Sequence, residues 1–229
     1  MTPPKPTPVS RRERPAKPAL SREAIVTAAM EILRGEQLER VTMRRLAQVL
    51  DTGPASLYVY VRNTAELHAY LLDDLLAGLD LAPVTAAGDW RDRLVTVLLS
   101  YTTVLMEHPG LAQSALVTRP SGPGYLRLLD GVLALLDGQV PADRAAWAVD
   151  LLLHFATSTA AEQGARSRAA DAEAEEDDLG EAITGATAET YPNIAALGLD
   201  LLSGTGEDRL LWGFTVLISG ILVTPRPTG

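Results

Sequence analysis

The sequence contains no cysteine, which excludes disulfide bonds, thiolate zinc sites and cysteine nucleophiles. Aromatic residues make up only 5% of the chain, although hydrophobic residues together make up 47%. A large core can therefore form, but leucine, alanine, valine and isoleucine have to fill it. No apolar run approaches the ~20 residues of a membrane span, and the proline-rich start MTPPKPTPVS lacks a signal-peptide core. These absences predict a cytoplasmic protein that does not interact with membranes.

Positive charge is scarce and unevenly placed. The formal net charge is −9, but residues 1–64 contain eleven Lys/Arg and six Asp/Glu, whereas residues 65–229 contain nine and twenty-three. Affinity for nucleic acid depends on where the positive charge lies rather than on its total. The N-terminal part can therefore approach DNA, while DNA repels the acidic remainder.

The first nineteen residues are rich in proline and carry the basic cluster Arg11, Arg12, Arg14 and Lys17. This composition predicts a disordered basic arm over residues 1–19. Two interpretations remain open: a solvated tail, or an arm that contacts phosphates or enters a minor groove.

Helical periodicity dominates from Leu20 onward, and no stretch has the alternation of a strand. Ser21 and Thr42 are the expected N-caps of the first two helices, and Gly or Pro bounds the later ones. The sequence therefore predicts an all-α fold, with a three-helix helix-turn-helix domain at 20–64 and a helical effector-binding and dimerisation domain at 65–225. Residues 171–181 carry seven carboxylates and no basic side chain, so we expect a mobile loop or a frayed helix end there.

The segment Thr42–Thr64, TMRRLAQVLDTGPASLYVYVRNT, has the pattern of two short helices joined by a tight turn containing Gly53. In a helix-turn-helix the second helix enters the major groove, so one side must lock onto the scaffold and the other must face DNA. Leu57 and Val61, four residues apart, can supply the anchor. The residues left to contact DNA are Thr42, Arg44, Pro54, Ala55, Ser56, Tyr58, Val59, Tyr60 and Thr64. The same pattern also occurs in helical proteins that never bind DNA, where the tyrosines would be packing residues.

Residues 21–72 resemble the N-terminal domain of the TetR family of regulators. The resemblance rests on SREAIVTAAMEILR, then VTMRRLAQVL, then the recognition segment with its LY pair, and then a helix that begins AELHAYLL. The segments GDWRDRL, ALVTRPSGPGY, LLLHFATSTAAEQG and LLWGFTVLISGI are similar, in the same order, to the C-terminal domain of the tetracycline-repressor branch.

The resemblance implies that operator DNA is contacted by Arg44, Ala55, Ser56, Tyr58, Tyr60 and the residue at position 64. Two positions depart from the family. Thr64 stands where a basic residue is common, so its phosphate contact must be weaker or come from the backbone alone. Pro54 stands where the tetracycline repressor has a polar residue that reads a base, so the operator sequence does not carry over.

The resemblance also implies an effector pocket among the helices between about 64 and 166. The positions that hold magnesium-chelated tetracycline in the repressor correspond to Asp80, Val97, Ala115 and Gly131, and the imidazole and amide ligands are missing at the last three. We therefore expect no metal, no cofactor and no tetracycline cage, but a roomier and more apolar pocket. Its expected lining is Val97, Tyr101, Ala115, Leu116, Arg119, Gly131 and Leu135. Tyr101 could instead be a core aromatic, and Arg119 a surface ion pair or a helix C-cap.

Two helices near the C-terminus, about 141–166 and 206–223, have more apolar surface than one subunit can cover. Gly213 and Gly220, seven residues apart, fall on one helix face and predict the close approach of another backbone, for which a second copy of the same helix is the natural candidate. The resemblance likewise implies a four-helix bundle with two helices from each subunit. The alternative is that both glycines pack inside one subunit. The predicted interface is Leu210, Gly213, Phe214, Leu217, Gly220 and Ile221.

The most consistent function is a homodimeric DNA-binding transcription regulator, a repressor released from a palindromic operator by a small and largely apolar effector. Two alternatives are a ligand-dependent activator, and a helical ligand-binding protein or enzyme with a vestigial helix-turn-helix. The histidines His68, His108 and His154 stand apart without metal-site spacing, and no nucleophile or phosphate-loop motif is present, so we expect no enzyme. His154 lies in an apolar stretch and is expected in the core.

Overall fold

The computed structural model of the protein describes the backbone of residues 19–169 and 172–227, and the side chains of all of these except 172–176. All regular structure within these ranges is helical, which confirms the predicted all-α fold. The predicted basic arm, apart from Ala19, lies outside the described residues. The helices are α1 Arg22–Gly35, α2 Met43–Val49, α3 Pro54–Leu57, α4 Thr64–Ala77, α5 Trp90–Glu107, α6 Pro109–Ala115, α7 Pro123–Leu136, α8 Ala142–Arg166, α9 Ala172–Thr184, α10 Pro192–Leu197 and α11 Gly206–Val223. Short 3-10 turns occur at Leu38–Arg40, Ala82–Val84 and Gly198–Leu202.

Local capping explains where several helices begin. The Ser21 hydroxyl accepts the N–H of Ala24 at 3.1 Å, and the Thr42 hydroxyl accepts that of Arg45 at 3.2 Å, as predicted for N-caps. At α11, Thr205 and Asp208 cap each other reciprocally. α3, α6, α7 and α10 begin instead with proline, whose missing N–H would have no partner in the first turn.

Two hydrophobic clusters fill the interior, and α4 belongs to both. The smaller cluster contains Ile25, Leu46 and Leu57 together with Leu67 and Leu71 of α4. The larger cluster begins at the C-terminal half of the same helix and continues through α5, α6, α7, α8 and α11. α4 is therefore a single rigid element whose first turns support the helix-turn-helix and whose last turns are part of the main core.

The backbones of α4 and α7 approach each other closely in the main core. A Cβ at Gly124 would lie 2.1 Å from the carbonyl oxygen of Asp73 and 2.8 Å from the amide nitrogen of Ala77, so α7 rests directly on the main chain of α4. The Asp73 carboxylate accepts the N–H of Tyr125 at 2.8 Å and so caps α7. In return, Arg127 donates to the carbonyl oxygen of Ala77 at 2.9 Å near the end of α4.

α11 packs its apolar side against α8 within the subunit. The rings of Phe155 and Phe214 meet edge to face, with centroids 5.3 Å apart, and a Cβ at Gly213 would lie 2.4 Å from the Phe155 ring. Leu210, Phe214 and Ile221 are buried in the subunit core, so their prediction as dimer-interface residues is wrong. The Gly213 prediction fails for the same reason, because a neighbouring helix of its own subunit occupies that side. Leu217 is half-buried and Gly220 faces open space, so both can still meet a partner.

The outward side of α11 is also apolar. Trp212, Val216 and Val223 are 70%, 45% and 78% exposed, and they follow one face of the helix. On α8, Trp147 and Leu151 are about half exposed, at 53% and 44%. The two C-terminal helices thus bury one apolar face inside the subunit and leave a second apolar face largely exposed, on which the Arg226 guanidinium stacks over the Trp147 ring at 4.4 Å.

The acidic segment is helical. Most of residues 171–181 lie in the first turns of α9, which runs from Ala172 to Thr184, so the predicted loop is wrong, whereas the alternative of a frayed helix end stays a prediction. Carboxylates in the first turns of a helix interact favourably with the helix dipole, which opposes the mutual repulsion on which the prediction was based. No helix in the described ranges is long and apolar enough to cross a membrane.

The contact between α4 and α7 yields a stability prediction. Gly124→Ala should lower the free energy of unfolding by about 1–3 kcal/mol or more, because the new methyl group overlaps backbone atoms that cannot move aside. Gly180→Ala in α9 is the matched control, because a methyl group there would meet nothing within 4 Å and alanine favours helix by up to ~1 kcal/mol. Urea unfolding should show opposite shifts of the midpoint. Equal midpoints for the two variants would contradict the close approach.

Candidate functional site

The helix-turn-helix is held from beneath by two fully buried side chains. Leu57 and Val61 have no exposed surface, which confirms them as the anchor of the recognition segment. The turn before α3 contains Gly53, as predicted; its left-handed residue is Asp51, with φ 47°, whereas Gly53 has an ordinary φ of −83°. The N–H of Thr52 closes the turn by donating to the carbonyl oxygen of Ala47 at 2.8 Å.

The predicted DNA-contacting side chains lie on the opposite side of this anchor. Tyr58 and Val59 are 51% and 78% exposed, while Tyr60 is half-buried against the small cluster. The other predicted contacts are all exposed: Thr42, Arg44, Pro54, Ala55, Ser56 and Thr64. The structure therefore presents an exposed surface that contains Tyr58, small residues and Arg44, while Tyr60 is only partly exposed.

The two arginines of α2 differ in their surroundings. Arg45 pairs with Glu36 at 3.4 Å, and Glu36 also lies 4.0 Å from Arg40. Arg44 is exposed, and no described residue forms an ion pair or hydrogen bond with its side chain. Of the two, Arg44 is thus the one available to an external anion, in agreement with the sequence prediction.

A small cavity lies between α5, α6, α7 and α8. It has a volume of about 20 Å³, which is enough for about one water molecule. Four of the predicted pocket residues line it, namely Tyr101, Ala115, Leu116 and Arg119. The lining residues that were not predicted are Pro120, Tyr125, Asp150, Leu153, His154 and Thr157. Those contributed by α8 are distant in sequence, and no local pattern singles them out.

Three of the predicted pocket residues lie elsewhere. Val97 and Leu135 are buried in the main core, and Gly131 packs next to Val84 and Leu81. The cavity is therefore smaller and more polar than the apolar pocket expected from the sequence. The prediction for these three positions does not match the lining of the cavity.

The inner wall of the cavity carries a chain of hydroxyl groups. Thr157 donates to the carbonyl oxygen of Leu153 at 2.7 Å, which uses its single hydroxyl hydrogen. The contact of 2.9 Å between Tyr101 and Thr157 must then be a hydrogen bond donated by Tyr101. Burial raises the pKa of Tyr101 to about 12, so its hydroxyl stays protonated and acts as a donor.

The outer wall carries an ion pair between Arg119 and Asp150. Both side chains are more than half exposed, at 58% and 57%. The ion-pair interpretation of Arg119 is thus confirmed, although the residue also lines the cavity. His154 lies on the same wall and is exposed, so its prediction as a core histidine is wrong. No cluster of three or more potential metal ligands from His, Cys, Asp and Glu occurs among the described residues.

The part of the chain that runs from the 3-10 turn at Ala82–Val84 to the end of α11 matches a known family. The family model described as "Tetracyclin repressor-like, C-terminal domain" matches residues 82–224, which is more than half of the chain. The chain belongs to the TetR family. The resemblance noted in the sequence is thereby confirmed.

Solved structures extend this similarity to the N-terminal part. SCO7704 from Streptomyces coelicolor, assigned as a transcription regulator, is 53% identical, with a TM-score of 0.80 covering 93% of this chain and 100% of that one. ActR from the same organism, crystallised with actinorhodin, is 31% identical, with a TM-score of 0.77 covering 90% and 96%. An HTH-type transcriptional regulator of Saccharopolyspora erythraea is 34% identical over 121 residues, 52% of this chain. The chain spans about half the length of that curated relative, 50%.

The hydroxyl chain of this TetR-family cavity can be tested by stability. Thr157→Val should lower the free energy of unfolding by about 1–3 kcal/mol, because it leaves the buried Tyr101 hydroxyl without an acceptor. Thr102→Val is the matched control: Thr102 is also buried, and its hydroxyl donates to the carbonyl oxygen of Leu98 in its own helix. Tyr101→Phe combined with Thr157→Val should recover most of the loss. A double variant no more stable than Thr157→Val alone would contradict the proposed hydrogen bond.

Proposed function

We propose that the protein is a dimeric transcriptional repressor that binds operator DNA through α2 and α3 and releases it when an effector enters the cavity between α5 and α8. The observation that carries this proposal is the combination of an exposed recognition surface and a cavity among α5, α6, α7 and α8, with α4 belonging to both hydrophobic clusters. The relatives named as transcription regulators support it. The division into units at residues 64 and 65 is part of the proposal, as is a place in the cytoplasm, where operator DNA is found.

DNA recognition is assigned to the exposed side of the helix-turn-helix. Small residues at Ala55 and Ser56 allow the start of α3 to approach base edges, and Tyr58 offers both a ring and a hydroxyl to the groove. In this proposal the Arg44 guanidinium binds a backbone phosphate of the DNA. Thr64 begins α4, where an uncharged residue leaves only main-chain N–H groups and a hydroxyl for a second phosphate.

The DNA-binding surface gives a direct prediction. Tyr58→Ala and Arg44→Ala should each weaken operator binding by about 1–3 kcal/mol without changing the unfolding midpoint, because both side chains are exposed. The operator is first obtained by selecting bound duplexes from a random-sequence library, and affinity is then measured by fluorescence anisotropy.

Tyr191→Ala and Arg91→Ala serve as controls, since both residues are exposed and lie outside the helix-turn-helix. The controls should bind like the wild type. If the selection returns no palindromic sequence, or if the Tyr58→Ala and Arg44→Ala double variant binds as tightly as the wild type, the assignment is wrong.

The effector is assigned to the cavity between α5 and α8. A volume of about 20 Å³ does not admit a drug-sized molecule, so binding requires the lining to move apart. The structure of ActR with actinorhodin supports a small-molecule effector of comparable kind for a chain of this similarity. The Arg119–Asp150 pair at the outer wall would then contact polar groups of the ligand, with Tyr101 at the inner wall.

The dimer is assigned to the uncovered faces of α8 and α11. Trp212, Val216 and Val223 lie on the side of α11 opposite to the stripe predicted from the sequence, of which Leu210, Phe214 and Ile221 are buried within the subunit. A second copy of the chain, related by a twofold axis, would bury these residues together with Trp147 and Leu151.

Charge placed on this face should separate the subunits. Val216→Glu is expected to give a monomer at micromolar concentration, because the interface would have to bury an unpaired carboxylate. Operator affinity should fall in parallel, because each monomer holds only one half-site. Leu126→Glu, at an equally accessible apolar position of α7 (55% exposed), is the control and should remain dimeric. Sedimentation velocity distinguishes the two, and a dimeric Val216→Glu variant with intact operator binding would rule out this interface.

A further inference from the structure

A single carboxylate fixes Arg62, which lies between the recognition segment and α4. The backbone N–H of Arg62 donates to one oxygen of Glu66, and the Arg62 Nε donates to the other oxygen at 3.0 Å. The Arg62 side chain is nevertheless 83% exposed, whereas that of Glu66 is only 16% exposed. The stem of the arginine is therefore held at two points while its outer end stays in solvent.

Glu66 is itself held in place by neighbouring residues. Its N–H donates to the Asn63 side chain at 2.8 Å, and the Tyr70 hydroxyl donates to its carboxylate at 3.1 Å. The Arg22 guanidinium of α1 lies 5.1 Å from the centre of the Tyr70 ring. These donors, above all the backbone N–H of Arg62, lower the pKa of Glu66, so the carboxylate is ionised at neutral pH. The bond to Arg62 is thus part of a network that joins α4 to α1.

The outer end of Arg62 has unused donors. A guanidinium carries five N–H groups in a planar fork, and only the one on Nε is bonded to Glu66. No other described residue accepts a hydrogen bond from the Nη1 and Nη2 groups of Arg62. An arginine whose orientation is already fixed loses less side-chain entropy when it binds a phosphate in two-pronged fashion.

Arg62 lies next to the proposed DNA-binding surface. It follows Val61, the buried anchor, and lies two residues beyond Tyr60 of the recognition segment. Its neighbours Asn63 and Thr64 are exposed and uncharged, so Arg62 supplies the only formal charge in the segment 52–65.

We propose that Arg62 binds a backbone phosphate of the operator and that Glu66 is the residue that positions it. This assignment rests on the proposed DNA-binding function. The resemblance implied a phosphate contact at position 64, where this chain has Thr64, and the proposal assigns a charged phosphate contact to Arg62 instead. Its chemistry is that of a phosphodiester bound by a guanidinium fork, so it contributes to affinity for any duplex and not to the choice of sequence.

Salt dependence tests the phosphate contact. The probes are the selected operator and a mixed-sequence duplex of about 30 base pairs, each titrated over a range of sodium chloride concentrations. Two phosphate contacts are lost from the dimer in Arg62→Gln, so the slope of log K against log salt should become shallower by about 1.8. If the wild type and Arg62→Gln have equal binding constants at about 1 M salt, that change in slope corresponds to roughly 60-fold weaker binding by the variant at about 0.1 M salt. The loss should be similar for both probes, whereas Arg62→Lys should retain the slope.

The role of Glu66 is tested by a variant for which simple electrostatics and a positioning role predict opposite changes in DNA affinity. Glu66→Gln removes a negative charge close to DNA, so simple electrostatics predicts tighter binding. If Glu66 positions Arg62, the variant should instead bind several-fold more weakly. Tyr70→Phe, which removes only the hydroxyl bonded to Glu66, should give a smaller loss and guards against misfolding of Glu66→Gln. Thermal unfolding and sedimentation verify that each variant is a folded dimer, and Arg91→Gln is the exposed-arginine control.

The outcomes separate this inference from the function on which it rests. A wild type without salt-sensitive DNA binding overturns the proposed function and this contact with it. A wild type that binds, together with an Arg62→Gln slope equal to its own, overturns the phosphate contact alone. Tighter operator binding by Glu66→Gln overturns the positioning role and leaves Arg62 as an ordinary surface charge.

Discussion

The arrangement of the molecule depends on one carboxylate placed where two helices touch. Asp73 of α4 caps the first turn of α7 by accepting the N–H of Tyr125, and the absence of a side chain at Gly124 lets α7 rest on the main chain of α4. A buried helix start without such a partner would leave unpaired N–H groups at a cost of about 1–3 kcal/mol each. Because the first turns of α4 support the helix-turn-helix, this contact sets the position of the helix-turn-helix relative to the main core.

The same contact connects the cavity lining to α4, which supports the helix-turn-helix. The Tyr125 ring lines the cavity while its N–H is bonded to α4. A second bond joins α4 to the opposite wall, where His68 lies 3.0 Å from the hydroxyl of Ser114, the residue before Ala115 in the lining. In the proposed function the effector is larger than the cavity, so it must push apart walls that are both hydrogen-bonded to α4. The displacement of α4 then follows from connectivity, and no separate transmitting element is needed.

Sequence reasoning succeeded where the controlling interactions are local. Caps such as Ser21 and Thr42, and prolines at first turns, act within three residues, so helix bounds were predictable from the chain alone. It failed for α11, which is apolar on nearly its whole circumference, because a pattern of that kind cannot distinguish the face that meets α8 from the face left uncovered. Gly213 shows the difficulty: its lack of a side chain does reflect a close neighbour, but the neighbour is Phe155 of the same subunit. The cavity residues Asp150 and Thr157 were missed because they meet α5 and α6 only in the folded chain.

The charge of the DNA-binding module also has to be interpreted locally. Residues 19–64 contain six basic and five acidic side chains, so most of the positive balance of residues 1–64 belongs to the first eighteen residues. A module so close to neutral cannot attract DNA by its net charge, and its affinity must come from the placement of individual arginines. The acidic residues contribute to that placement, since Glu36 pairs with Arg45, while Arg44 has no ion-pair partner among the described residues. Internal ion pairs therefore determine which positive charges are presented to a phosphate, and a count of charges does not reveal this choice.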